Sequence, residues 1–301
     1  MSFQSKHKSV LSEEVLHYLD IKKGDIVLDG TINGGGHASL IVEHLGPQGI
    51  FIGIDQDSKA LAFSKERLKG ALPKIHLIHK NTRHLDSILD DLEIHSIDKI
   101  LLDLGWSSNQ FEDGERGFSF LVEGPLKMTM SDNTEDVLFT AHDVVNFWDE
   151  SSLVDILKFY GEESFASRIA KAILERRQER EITTTIELAE LIKEAIPKKF
   201  HKKGIHPATK SFQAIRIAVN DEMEALREIL YKAFERMSSG GRLVIISFHS
   251  IEDRIIKNFF KDRSNEKKAI LITKKPITAS SEELLENKRS RSAKLRVLEK
   301  L

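Results

Sequence analysis

Four short apolar runs, spread over the first 103 residues and separated by helix-like stretches, constrain this chain more than any other feature. Asp25 to Asp29, Ile50 to Asp55, Ile75 to His79 and Lys99 to Asp103 read as buried strands. Amphipathic segments from Ala38 to Leu45, Ser58 to Leu68 and Leu85 to Leu92 lie between them. Strict alternation of strand and helix predicts βαβ units, a parallel sheet and right-handed crossovers. Open α/β sheets bind ligands beyond the carboxyl ends of their strands, so the acidic strand ends Asp55 and Asp103 are the first places to look for a site.

After Asp103 the alternation stops. From 110 to 204 no run reads convincingly as a strand. A loop reaches Met130, and helical patterns follow near Thr140 to Trp148, Leu153 to Tyr160, Ser164 to Arg177 and Ile186 to Ile196. The expectation is a sheet-based core made of 1–109 and 205–301, interrupted by a helical domain at 110–204 that exits through Pro197 to Gly204. Lys210 to Met237 reads as one long helix. Gly240 to Ser247 is a fifth core strand, Ile251 to Phe260 a helix, and Ala269 to Thr273 and Leu295 to Leu298 are late strands.

The chain has 301 residues, 40% of them apolar, which is enough for a large buried interior. A net charge of −2 gives no overall pull toward nucleic acid or membrane. The absence of cysteine removes disulfides, thiolate nucleophiles and cysteine zinc sites. No apolar run approaches the ~20 residues of a spanning helix, and Met1 to Lys8 has no signal-like core, so a cytoplasmic protein is expected. His37, His206 and His249 are far apart and lack ligand spacing, which argues against a metal.

Asp29-Gly-Thr-Ile-Asn-Gly-Gly-Gly-His37 follows the first strand directly and opens a helix, a placement that brings backbone N–H groups close to a ligand. Asp55 at the end of the second strand, with Asp57 beside it, stands where ribose-binding acids stand, ~20 residues after such a turn. The glycines do not fit G-x-G-x-x-G. The late strand pair suits S-adenosylmethionine, which has no pyrophosphate, better than a dinucleotide. Thr31 and Asn33 occupy two positions where glycine is usual in methyltransferase turns, and Asn33 can adopt a positive φ. A tight connection without ligand is the alternative.

At the fourth strand, Asp103-Leu-Gly-Trp-Ser-Ser-Asn-Gln110 turns sharply at Gly105 and presents hydroxyl and amide groups. Two stretches concentrate positive charge. Six lysines or arginines and no acid fall between Ala195 and Asn220, and five more fall between Lys288 and Arg296. They nominate Lys202, Lys203, Lys210, Arg216, Arg289 and Arg291 as RNA contacts, with Trp106, Phe118 and Phe120 as stacking candidates. Solvated helix faces are the bland alternative.

Several further segments complete the pattern: His7 to Val10, Glu115-Arg-Gly-Phe-Ser-Phe120, Tyr160-Gly-Glu-Glu163 with Arg168 to Ala170, His206 to Arg216, Ser247 to Arg254, and Arg289 to Arg296. With Asp29 to His37 and Asp103 to Gln110 they resemble the MraW (RsmH) family of bacterial 16S rRNA cytidine N4-methyltransferases over essentially the whole chain. The resemblance implies a class I Rossmann-like α/β fold with a mostly parallel sheet and an inserted helical domain. It also implies S-adenosylmethionine as cofactor, held by Gly34, Gly35, Gly36, His37, Asp55, Asp103 and Gln110. The implied partner is small-subunit rRNA or the assembled 30S subunit, and a homodimer is compatible. An exocyclic cytosine amine is a poor nucleophile that an acceptor must organise. Asp103, or a backbone carbonyl beside it, is expected to organise the amine or the methionine end of the cofactor, with Ser108 and Asn109 orienting the base.

Two positions depart from the family. An aromatic cofactor contact after the third strand falls at about Thr82, and the usual Asp-Met-Arg-Met-Asp is here Lys127-Met-Thr-Met-Ser131. The change reads either as drift in a loop whose charges paired only with one another, or as a paralogue that has become an RNA-binding assembly factor or changed its substrate.

Overall fold

The computed structural model describes residues 9–105, 111 and 113–301. These form two compact units, one of Met1–Gly105 with Glu224–Leu301 and one of Trp106–Met223.

The first unit is built on a seven-stranded sheet. Its strands are β1 (Ile26–Asp29), β2 (Ile50–Asp55), β3 (Lys74–His79), β4 (Ile97–Asp103), β5 (Met237–Ser247), β6 (Ala269–Leu271) and β7 (Lys294–Lys300). They are ordered β3-β2-β1-β4-β5-β7-β6. β1 to β5 run parallel, while β7 lies antiparallel between β5 and β6. Alternate residues of the central strands feed two cores, as the two-residue period of a strand requires. Leu28, Ile100, Leu102, Leu243 and Ile245 pack on one face with α4 (Leu85–Asp91), α10 (Glu222–Arg236) and α11 (Ser250–Asn265). Val27, Leu101, Val244 and Ile246 face α1 (Ser12–Leu19) and α2 (Gly36–Leu45), with Leu61 and Leu68 at α3 (Ser58–Arg67). Burial on both faces explains why these strands read as near-continuous apolar runs.

The second unit packs α5 (Ala141–Phe147), α6 (Glu150–Phe159), α7 (Ala166–Glu179), α8 (Thr185–Ala195) and α9 (Thr209–Val219) around one core. Three of these helix starts are specified locally. Thr140 and Asp143 form a reciprocal capping box, and Asp149 and Thr184 accept from the N–H groups of Ser152 and Glu187.

The boundary of this unit differs from the expected return at 205. Ala208, Phe212, Ala214 and Ile215 are buried in the helical core, so α9 belongs to the insertion and the chain returns to the sheet unit at Glu224. The expected helix from Lys210 to Met237 is likewise two helices. Asp221 has φ +48°, a conformation no helix carries, and the side chain of Asn220 leaves the helical pattern to bond the loop before α5. Its Nδ2 donates to Met128 O at 2.7 Å and its Oδ1 accepts from Met130 N–H at 2.6 Å.

Candidate active site

The glycine turn is held from three sides. Gly30 N–H donates to Leu101 O at 2.9 Å, and a Cβ at Gly30 would come within 2.5 Å of Leu102 Cδ2, so the approach to β4 requires glycine. Ile32 N–H donates to Ile54 O at 3.1 Å on β2. The turn then passes through positive φ at Asn33 (+50°) and Gly35 (+72°), the asparagine standing in for a glycine as expected. Ser64 on α3 donates its hydroxyl to Asn33 O at 3.0 Å, and its Cα would lie 3.1 Å from a Cβ on Gly35. A Cβ on Gly36 would collide with the Ser9 hydroxyl. Gly34 differs, because among the described residues nothing lies within 4 Å of the place its Cβ would occupy. Gly35 and Gly36 thus have no room for a side chain, while Gly34 faces open space among the described residues at the N-terminal end of α2.

Three acids end the neighbouring strands. Asp55 accepts from Asn33 N–H at 2.8 Å and from Asp57 N–H at 3.0 Å, which fixes its carboxylate against the turn; burial still pushes it up to about 6. Asp29 is only 1% exposed and is pushed up to about 7 by burial, although the Thr31 N–H bond at 3.1 Å opposes this. Asp103 is pushed up to about 8 by burial, with repulsion from Asp29 and Glu252 adding to it. Thr31 ties the group together, since its Oγ1 accepts from Asp103 N–H at 2.6 Å.

His37 Nε2 stands 3.7 Å from Asp103 Oδ2, close enough for an ion pair. Burial moves the imidazole down to about 4 while the acid moves up, so both are driven toward their neutral forms and the contact is not ionic near pH 7. Neither ring nitrogen of His37 has a hydrogen-bond partner among the described residues, and the same holds for Oδ1 of Asp103.

Buried acceptors left unmatched, a carboxylate cluster strained by like charge and an open glycine beside a helix N-terminus call for a ligand with cationic and hydroxyl groups. S-adenosylmethionine fits that demand. Its ammonium and sulfonium charges would relieve the acids, and its ribose hydroxyls could donate to Asp55.

Sheet order, turn and acidic strand ends together define an S-adenosylmethionine-dependent methyltransferase of Rossmann-like fold. The fold matches the crystal structure of a candidate rRNA methylase from Clostridium thermocellum, with a TM-score of 0.50 at 14% identity, over 98% of this chain and 99% of that one. The profile of the MraW methylase family matches residues 4–301. A protein of Brevibacillus brevis named ribosomal RNA small subunit methyltransferase H is 44% identical over 310 residues, 98% of each chain. One of the same name from Clostridium botulinum (strain Kyoto / Type A2) is 46% identical over 311 residues, 98% of this chain and 99% of that one. The chain belongs to the MraW methylase family.

Other expected site residues fare differently. Ser108, Asn109 and Gln110, with Trp106, lie outside the described residues. Thr82 starts a short 3-10 turn after β3, its methyl against Gly30, at the position where the family carries an aromatic. Lys202, Lys203 and Lys210 are exposed on the helical unit, Lys210 bonding Glu162 O; Arg289 and Arg291 are exposed on the sheet unit. Arg216 contradicts the expectation of an RNA contact. It is 4% exposed and forms a forked pair with Glu222, Nε to Oε1 at 2.7 Å and Nη2 to Oε2 at 2.9 Å. Phe118 is buried in the helical core and Phe120 stacks on His206 at 4.7 Å, so both serve packing within that unit. His249 caps α11 with Glu252.

Two contributors have no local signature: no motif singles out Ser64, and the hydroxyl of Thr31 stands where a glycine is usual, so its bond to β4 shows only in the fold. The departing loop is held through its backbone. Arg116 Nη2 donates to Thr129 O and Met130 O, both at 2.8 Å, and Asn220 grips Met128 and Met130. The bonds from Arg116 and Asn220 use none of the side chains of Lys127, Thr129 and Ser131, but Ser131 is buried and its Oγ accepts from Asn133 N–H at 3.1 Å.

Proposed function

We propose that this methyltransferase modifies the exocyclic N4 of a cytidine in the decoding region of 16S rRNA, in the cytoplasm, on an assembled or nearly assembled small subunit. The reading rests above all on full-length similarity to proteins named for small-subunit rRNA methylation. It is supported by an acid at the end of β4 whose buried Oδ1 has no hydrogen-bond partner among the described residues. S-adenosylmethionine supplies an electrophilic methyl group on a sulfonium.

The protein's part is positional. The glycine turn and Asp55 hold the cofactor, and Asp103 with its Thr31 tether organises either the cytidine amine or the methionine end beside it. Ser108 and Asn109 orient the base. Because the amine lone pair is delocalised into the ring, bringing it in line at ~3 to 3.5 Å supplies most of the acceleration. Asp103, raised by burial to about 8, holds a proton at neutral pH in the cofactor-free chain; a cationic ligand beside it would favour the carboxylate, and only that form can take the proton that the amine loses on methylation. The inserted helical unit recognises RNA through Lys202, Lys203 and Lys210, and Arg289 and Arg291 bind phosphate from the sheet unit.

Purified protein incubated with S-adenosylmethionine and undermethylated small subunits should yield N4-methylcytidine by nucleoside mass spectrometry. Restoring the family loop by Lys127→Asp, Thr129→Arg and Ser131→Asp should change the rate by less than about threefold, because the backbone bonds of the loop remain; a ~100-fold gain would show that the absent charges position substrate. Cofactor binding without transfer to naked rRNA, partial particles or whole subunits would overturn the assignment in favour of an assembly factor.

A further inference from the structure

We infer that Phe200, backed by Phe165, is a stacking platform for an unpaired base of the RNA, flanked by lysines that offset the neighbouring phosphates. The inference rests on the RNA substrate proposed above and names the surface of the helical unit that would read it.

Phe200 is 51% exposed, an unfavourable place for a phenyl ring that has a core beside it. The ring is nevertheless anchored. Lys198–Phe200 is a 3-10 turn entered through Pro197, with Phe200 N–H donating to Pro197 O at 2.9 Å and His201 N–H to Lys198 O at 3.1 Å. His201 Nε2 lies 2.9 Å from Ile196 O and pins the far side of the turn. Phe165, at the start of α7, holds one side of the ring at 4.9 Å between centroids, and its own N–H is fixed by Glu163 Oε1 at 2.9 Å. The result is an aromatic surface set in place before any ligand arrives, which reduces the ordering cost of binding.

Charge selects the occupant. Lys198, Lys199, Lys202 and Lys203 are all exposed and have no ion-pair partner among the described residues, and Lys199 Nζ stands 5.1 Å from the Phe200 centroid. Phe63, Phe147 and Phe159 are also exposed, but each has an acid within five positions in the sequence, and Phe200 has none. An apolar protein partner would gain nothing from four uncompensated cations. Single-stranded RNA gains from both features, a π face for the base and ammonium groups for the phosphates.

The test uses the full chain and a short fluorescent oligocytidylate, with a hairpin duplex as comparison. Phe200→Ala should weaken single-strand binding about tenfold or more, as removal of one base–aromatic stack does, and leave the salt dependence of binding unchanged because every cation is still present. Phe200→Trp should bind at least as tightly as the parent. Phe200→Leu, which keeps apolar volume without the π face, should bind like Phe200→Ala. Duplex affinity, S-adenosylmethionine affinity and thermal unfolding should be the same in all four proteins. Parent-like binding by Phe200→Ala or Phe200→Leu would overturn the platform while leaving the RNA reading intact. A parent that binds neither probe and no small subunit would overturn the RNA reading, and the platform with it.

Discussion

Replacing Asp29 by asparagine should stabilise the cofactor-free protein, and more so as pH rises. Asp29 ends β1 at 1% exposure, and its carboxyl moves from 3.8 to about 7 mainly because burial penalises the anion, with Asp55 adding repulsion. Between those two values the folded chain keeps a proton that the unfolded chain has released. Stability therefore falls as pH climbs through that window and is lowest above about 7. At 1.36 kcal/mol per pH unit the full penalty is about 4 kcal/mol. Charge sharing with Asp55 and Asp103 and relaxation of the turn reduce the part that is measured to about 1 to 3 kcal/mol. Asparagine keeps an oxygen for the Thr31 N–H and carries no charge, so it should not show this slope. Scanning calorimetry of parent and Asp29→Asn from pH 5 to 8, without cofactor, should show the advantage of the variant widening with pH. Parallel curves would refute the reasoning, because they would mean that Asp29 ionises in the fold at no cost.

Gly34→Ala should leave unfolding of the cofactor-free protein within about 1 kcal/mol of the parent yet weaken S-adenosylmethionine in calorimetric titration, because its Cβ meets none of the described residues. Gly35→Ala should cost about 1 to 2 kcal/mol of stability from the positive φ alone, before the contact with Ser64; the reverse order of the two would reassign which glycine faces ligand. Asp55→Ala removes the acceptor of two turn N–H groups and should weaken the cofactor tenfold or more by titration, whereas equal affinity would take Asp55 out of the site. Charge reversal of Lys202 and Lys203 should flatten the salt dependence of RNA binding by about 0.7 in log–log slope for each phosphate no longer neutralised, with cofactor affinity untouched; an unchanged slope returns both lysines to solvent.

Much of the sheet unit could be read from the chain. β1, β2 and β4 are covered on both faces, so their apolar runs are nearly unbroken, and the acids that close them mark the ligand end without any knowledge of three-dimensional neighbours. Helix starts in the second unit were legible for a similar reason, since Thr140, Asp149 and Thr184 each cap through atoms within three residues. Arg216 shows where such reading stops. A window without acids ends at Asn220, and the carboxylate that pairs with Arg216 stands just beyond it at Glu222, brought round by the break at Asp221. Charge counted along the chain cannot distinguish a cation offered to solvent from one paired in the interior.

The sequence alone determined the alternation of strands and helices, the glycine turn, the acidic strand ends and the interruption by helices, because each of these follows from local periodicity, local chemistry or the steric needs of a single turn. The tertiary structure decided the rest. Thr31 meets the N–H of Asp103 across 72 positions and Ser64 meets Asn33 across 31, so no local pattern records either bond. The raised proton affinities of Asp29 and Asp103 likewise arise from exclusion of water by the whole unit and from carboxylates on separate strands, and burial is a property of packed elements that no residue carries by itself.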